Sequence, residues 1–136
     1  MRKTIIFCTV ILLICVAAIG IYKINKTHHN TAAEPPVASV SATDLYSQFS
    51  HTETQATKKW VGKVLEISGI ISSISETGKY ISINLRAGSD AGVNCNVLKN
   101  ELESGEVLDT GQVITIKGKC AGFLIDVNMV DCVIKK

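Results

Sequence analysis

A chain of 136 residues with a net charge of +2 can form one domain with a modest core, and it is too short for two. The charge is uneven: in residues 1–40 Arg2, Lys3, Lys23 and Lys26 oppose Glu34 alone, a balance of +3, while the remainder sets ten Lys and Arg against eleven Asp and Glu, a balance of −1. A near-neutral C-terminal part excludes a domain that holds nucleic acid or acidic lipid by overall charge.

Residues 4–22 form a run of nineteen uncharged residues between Lys3 and Lys23. As a helix the run spans roughly 28 Å, close to the ~30 Å hydrocarbon thickness of a bilayer. No face of it is polar, so a buried soluble helix is a poor fit. Arg2 and Lys3 precede it as in an export signal. The first reading is a retained transmembrane anchor, within residues 1–24. The second is a cleaved signal; Ala18 and Gly20 offer a small-x-small site, but Ile21 and Tyr22 continue the apolar run past it. The third is lipidation, although Cys8 follows Phe7 and Cys15 follows Ile14, bulky residues where a lipoprotein signal has small ones. The short basic N-terminus is expected to stay in the cytoplasm, which puts the C-terminal domain on the periplasmic side.

Residues 25–40 read as a linker, in which Pro35 and Pro36 enforce extended backbone and make a semi-rigid spacer. His28 and His29 are adjacent there, without Cys or carboxylate partners at ligand spacing, and are expected to be solvated rather than metal-bound. The domain is expected over residues 41–136. Ser41 can cap a helix, with Asp44 three residues on in a capping-box-like arrangement. Leu45, Phe49, Thr52, Ala56 and Trp60 then fall on one helical stripe, and Trp60 at its end reads as a core anchor rather than a binding residue.

From Val61 the apolar period changes to two. Leu65, Ile67, Gly69 and Ile71 form the inward set of a first strand, Ile81, Ile83 and Leu85 of a second, and Val93, Cys95 and Val97 of a third. A short helix is expected from Leu98 to Ser104, ended by Gly105. Ile114, Ile116, Gly118 and Cys120 then mark a fourth strand, and Val130, Cys132 and Ile134 a fifth. Three strands, a short helix and two strands is the order of a five-stranded OB-fold barrel, here preceded by an amphipathic helix. Gly69 and Gly118 sit mid-strand, where a barrel must coil or let another backbone approach; both read as structural glycines.

Two stretches carry a family resemblance. Lys59-Trp60-Val61-Gly62-Lys63-Val64-Leu65-Glu66-Ile67-Ser68-Gly69 resembles the first-strand motif of the tRNA-anti-like OB-fold family. Gly111-Gln112-Val113-Ile114-Thr115-Ile116-Lys117-Gly118-Lys119-Cys120-Ala121-Gly122-Phe123 and the ending Asp126-Val127-Asn128-Met129-Val130-Asp131-Cys132 continue the match. Asn25-Lys26-Thr27-His28 resembles a juxtamembrane motif of such proteins, with Thr27 where Pro is commoner. The resemblance covers roughly residues 44–134. It implies a small bacterial protein, often with an N-terminal membrane segment or lipoprotein signal, and it brings no catalytic residues.

The residues themselves offer little catalytic chemistry. No Ser lies in a nucleophile elbow and no Gly-rich loop opens a helix to cradle phosphate. Asp126 and Asp131 flank the last strand and read as solvated turn and strand-edge residues rather than an acid–base pair. The chain is expected not to be an enzyme and to need no cofactor or metal. A ligand face is expected on the strands an OB barrel usually offers, at Tyr80, Asn84, Asn94 and Asn96, with Lys117 and Lys119 on the fourth strand. One aromatic and a solvated lysine face are too little for single-stranded nucleic acid, which needs stacking platforms and neutralised phosphates. Cys95, Cys120 and Cys132 all face inward on neighbouring strands. They read as buried free thiols, or, in an oxidising compartment, as a Cys120–Cys132 disulfide with Cys95 left over. A three-Cys zinc site has no fourth ligand.

The expected function is that of a membrane-anchored, extracytoplasmic binding or interaction module of a bacterial envelope, with a protein or small-molecule ligand. The alternatives are a membrane-tethered, tRNA-like single-strand binder and an envelope enzyme or its accessory subunit.

Overall fold

The computed structural model describes residues 31–102 and 107–135. The apolar run of residues 4–22, His28, His29 and residues 103–106 lie outside the described residues. Among the described residues no helix is long and apolar enough to cross a membrane.

The elements run β1 (Ala38–Ser41), α1 (Ala42–Trp60), β2 (Val64–Thr77), β3 (Tyr80–Arg86), β4 (Gly92–Leu98), a 3₁₀ turn (Lys99–Glu101), β5 (Val113–Phe123) and β6 (Val127–Lys135). The sheet order is β1-β2-β3-β4-β6-β5, and β2 also pairs with β5, so β2 to β6 close into a five-stranded barrel. Closure depends on the length of β2. Its first half, from Val64 to Ile70, pairs with β5, and its second half, from Ile71 to Thr77, pairs with β3. The register slips between Ile71 and Ser73, where the strand passes from one partner to the other. β4 and β6 are parallel, and the other barrel pairs are antiparallel.

The alternating residues expected to face inward do so on β2 to β5. Leu65, Ile67, Ile71, Ile83, Leu85, Val93, Cys95, Val97, Ile116 and Cys120 are buried. Each large apolar side chain so buried contributes about 1.5–3 kcal/mol relative to exposure. Helix α1 begins as expected. The Ser41 hydroxyl accepts from the Asp44 amide at 3.0 Å and donates to the Asp44 carboxylate at 2.7 Å. Its apolar stripe, Ala42, Leu45, Phe49, Ala56 and Trp60, packs on all six strands. Phe49 stacks on Phe123 with centroids 5.5 Å apart, so the helix lies across the end of the barrel at which β5 turns into β6. The Trp60 indole N–H donates to Gln48 Oε1 at 3.0 Å, which makes Trp60 a satisfied core anchor.

Four features differ from the sequence expectation. Thr52, on the expected stripe, is exposed, with φ −140° and ψ 60° at a kink in α1. The side chains of His51 and Thr52 hydrogen-bond the carbonyls of Ser47 and Gln48, competing with the helix for those acceptors. The short helix after β4 is a single 3₁₀ turn. Residues expected as linker are docked on the barrel: β1 lies parallel to β2 from Ala38 beside Leu65 to Ser41 beside Ser68. Ahead of it, Lys117 Nζ donates to the carbonyls of Ala32 at 2.6 Å and Glu34 at 3.2 Å. Finally, β6 begins in the opposite phase. Val127 and Met129 are inward and Val130, expected inward, faces out.

Candidate functional site

The phase change in β6 has a local cause. On β5, Lys117 and Lys119 are separated by Gly118 alone, while their partners Val133 and Val130 are separated by Asp131 and Cys132. Two residues therefore oppose one, a β-bulge. Asp131 takes the bulged conformation with φ 50°, a left-handed region that Asp tolerates better than most residues. Cys132 then turns inward. A Cβ on Gly118 would lie 2.5 Å from Cys132 Sγ and 3.3 Å from the Val130 carbonyl, so the thiol occupies the space the glycine leaves. Gly69 is likewise enclosed, with Ala42 Cβ and Leu85 Cβ at 3.0 and 3.1 Å from a would-be Cβ.

The bulge completes a polar face on the outside of β2, β3, β4 and β6. One row runs Ser75, Ser82, Asn96 across three strands. The next runs Ser73, Asn84, Asn94, Asn128 across four. Hydrogen bonds fix these side chains: Ser82 Oγ donates to Asn94 Oδ1 at 2.9 Å, and Ser72 Oγ to Asn84 Oδ1 at 3.2 Å. The face holds two hollows. One, of about 400 Å³, is lined by Ser75, Thr77, Tyr80, Ser82, Asn96, Val130 and Asp131. The other, of about 520 Å³, lies between Ser72, Ser73, Asn84, Arg86 and the loop from Gly88 to Ala91. Asp126 pins that end: its carboxylate accepts from the Gly92 amide at 2.7 Å and from Asn84 Nδ2 at 3.5 Å. Gly92 is the glycine that sequence reasoning missed. A Cβ there would collide with the Leu85 carbonyl and Asn84 Oδ1.

The structure thus brings Tyr80, Asn84, Asn94 and Asn96 onto one face, as expected. Lys119 stands at its margin, one strand on, opposite Val130. Lys117 is committed to the carbonyls of Ala32 and Glu34 instead. Asp126 and Asp131 do not form a pair: one holds a loop and the other lines the Tyr80 hollow. Ser75, Ser82, Asn128, Val130 and Asp131 are additions. Ser82 was visible as the polar partner in an alternating strand; Asp131 carried no signal, because nothing in the sequence marks the bulge.

The cysteines are corrected in arrangement. Cys95, Cys120 and Cys132 are free and buried, with no Cys120–Cys132 bridge. Cys120 lies opposite Met129, whereas the bulge directs Cys132 to Cys95. The Cys95 thiol and burial push Cys132 well above the ordinary thiol range, and burial pushes Cys120 up to about 11. Among the described residues no group of three or more His, Cys, Asp or Glu side chains is placed to hold a metal ion.

Barrel connectivity, closure and a side-chain face across β2, β3 and β4 define an OB-type barrel. The chain belongs to the tRNA_anti-like family, whose model matches residues 1–134. Among solved structures it is similar to a protein of Klebsiella pneumoniae subsp. pneumoniae, provisionally described as a nucleic acid-binding lipoprotein, with a TM-score of 0.59 and 18% identity over 72% of this chain and 92% of that one. At that identity the likeness speaks to the fold. No curated protein matches.

Proposed function

We propose that this protein is a membrane-anchored binding module of a bacterial envelope, with its barrel outside the cytoplasm and its ligand held, without catalysis, on the outer face of β2, β3, β4 and β6. The observation that carries the reading is the pair of Ser and Asn rows on that face, one lining the hollow at Tyr80 and the other running into the hollow at Arg86. Buried fold requirements do not call for them, since they point away from the core. The anchor rests on the uncharged run of residues 4–22 and on the lipoprotein description of the Klebsiella protein.

A second reading, single-stranded nucleic acid on the same face, is favoured by the description of that neighbour as nucleic acid-binding. Against it, Tyr80 is the one aromatic lining the hollow, and its ring already carries the Lys79 ammonium 5.3 Å from its centroid. One ring gives one stacking platform, where single-strand binding uses several.

A photoreactive amino acid placed at Ser82 or Asn96 of the full chain in intact cells tests the face. The expected result is an adduct from both positions and none from Glu53, on the exposed side of α1. Absence of adducts at both face positions would sink the proposal. Alkaline phosphatase fused after Lys136 tests the side of the membrane and is expected to be active.

A further inference from the structure

Resting on the proposed anchoring, we infer that the end of the barrel carrying the β5–β6 turn docks on the bilayer, with Leu124 and Ile125 entering the acyl boundary and lysines meeting anionic headgroups. Leu124 is 84% exposed and Ile125 76%, the two most exposed large apolar side chains among the described residues. They are adjacent and stand in the turn between β5 and β6, where Gly, Asn or Asp suit the backbone better. Scattered single apolar residues need no partner, whereas a projecting apolar pair marks a contact. The turn is held in shape before anything touches it. The Leu124 amide donates to the Asp126 carbonyl at 3.2 Å, Asn128 Nδ2 donates to the same carbonyl at 3.1 Å, and the Asp126 carboxylate accepts from the Gly92 amide. Behind it, Phe123 packs on Tyr46 and Phe49 of α1.

The charges beside the turn identify what it meets. The Gly62 amide donates to the Cys120 carbonyl at 2.8 Å and the Cys120 amide to the Lys63 carbonyl at 2.9 Å, so the start of β2 lies against the last part of β5. The two segments joined there, residues 54–65 and 110–125, carry Lys58, Lys59, Lys63, Lys117 and Lys119 and no carboxylate. Lys117 is committed to Ala32 and Glu34, and Lys59 to Gln48 and the Trp60 ring. Lys58 and Lys63 are exposed, and among the described residues neither forms an ion pair. The nearest carboxylates in the fold are Asp44, bonded to Ser41, Asp126, bonded to Gly92, Glu53 on α1, and Asp90, which Arg86 offsets across the second hollow. A projecting apolar pair with lysines along one side matches a bilayer boundary, where acyl chains lie beneath anionic headgroups.

The tether permits the contact. Ala32 lies against Lys117, six residues of β5 from Phe123 or about 20 Å, and residues 23–31, between Ala32 and Tyr22, reach up to about 32 Å. A second copy seated turn to turn would set the lysines of both chains side by side, which disfavours that occupant. The docked pose also serves the polar face. Tyr80 begins β3 and Arg86 ends it, next to the loop that Asp126 holds, so the Tyr80 hollow stands about 20 Å along β3 from the docked end and stays open to solvent.

The test is methyl NMR on the full chain in nanodiscs of phosphatidylcholine and phosphatidylglycerol, with a nitroxide on the fifth acyl carbon of a fraction of the lipid. The Leu124 and Ile125 methyls are expected to broaden, while those of Val113, 70% exposed at the other end of β5, keep their intensity. Lys58→Glu with Lys63→Glu, both on exposed positions, should weaken the broadening severalfold, as should phosphatidylcholine alone. A chain that stays in the nanodisc with Leu124 and Ile125 no more broadened than Val113 overturns the docking and leaves the anchor standing. A chain that does not stay with the nanodisc sinks the anchor, and the docking with it. Broadening indifferent to both the lysine changes and the loss of anionic lipid overturns the assignment of the headgroup contact. A photoreactive amino acid at Leu124 in intact cells that captures a protein in place of lipid overturns the bilayer as the occupant.

Discussion

Gly118 and Cys132 share one volume. The fourth predicted strand marks Gly118 as a place where no side chain fits, but what fills the space depends on Asp131 adopting φ 50°, and no glycine or proline flags that turn. Strict alternation therefore put Val130 in the core and Asp131 on the strand edge, one phase out, while Cys132 on the far side of the bulge was assigned correctly. Gly118→Ala should cost about 1–3 kcal/mol in urea unfolding, as overpacking does. Cys132→Ala removes Sγ, the nearest atom, so the double variant should be less destabilised than the two single losses together; additive losses would show that the thiol is not what excludes the methyl. The thiols also set a pH dependence. Cys120 is raised from 9.0 to about 11 by burial, so the folded state holds its proton more tightly than the unfolded chain. The stability this confers is fully present below pH 9 and is lost as pH rises toward 11. The comparison is between wild type and Cys120→Ala, which isolates this thiol. The variant should show a shallower alkaline decline in urea midpoint, and parallel declines would refute the assignment.

At the scale of elements, helix α1 was legible because its cap and its stripe are local. Ser41, Asp44, Leu45, Phe49 and Trp60 declare it without reference to the rest of the chain. β1 was not legible, because four residues give too short an alternation and their partner lies more than twenty positions later. The diproline segment ahead of it looks like a free spacer in sequence; Lys117, eighty-five residues from Ala32, is what ties it down. The stretch from Thr31 to Ser41 is thus part of the folded unit. A chain cut to residues 41–136 should melt below one that starts at residue 31, because it exposes the β2 edge and frees Lys117. Lys117→Ala in the longer chain should give part of that fall and render the bonds between Thr31 and Glu34 susceptible to a protease of broad specificity. Equal melting of the two chains would return the segment to the status of a linker.

At the scale of the molecule, strand order alone carried the barrel: three strands, a short turn and two strands leave few ways to close a small sheet, and β2 is long enough to serve two partners. Its polar outer face was partly legible, since outward Asn residues on two adjacent strands must stand side by side. On the proposed anchoring, the distance of the barrel from a membrane is bounded by the two ends of the N-terminal segment. Between Tyr22, where the uncharged run ends, and Ala32, whose carbonyl accepts from Lys117, lie residues 23–31. Even fully extended, nine residues reach at most about 32 Å, so an anchor ending at Tyr22 would keep the barrel within about a barrel's width of the bilayer surface. That closeness exists only if the run is retained. The native chain should therefore stay with membranes through an alkaline wash and carry residues 1–22 in its intact mass. A mature N-terminus near Ile21 would release the barrel and remove the constraint. A lipidated Cys15 would preserve membrane attachment and move the anchor point to residue 15, lengthening the tether by the residues from 16 to 22.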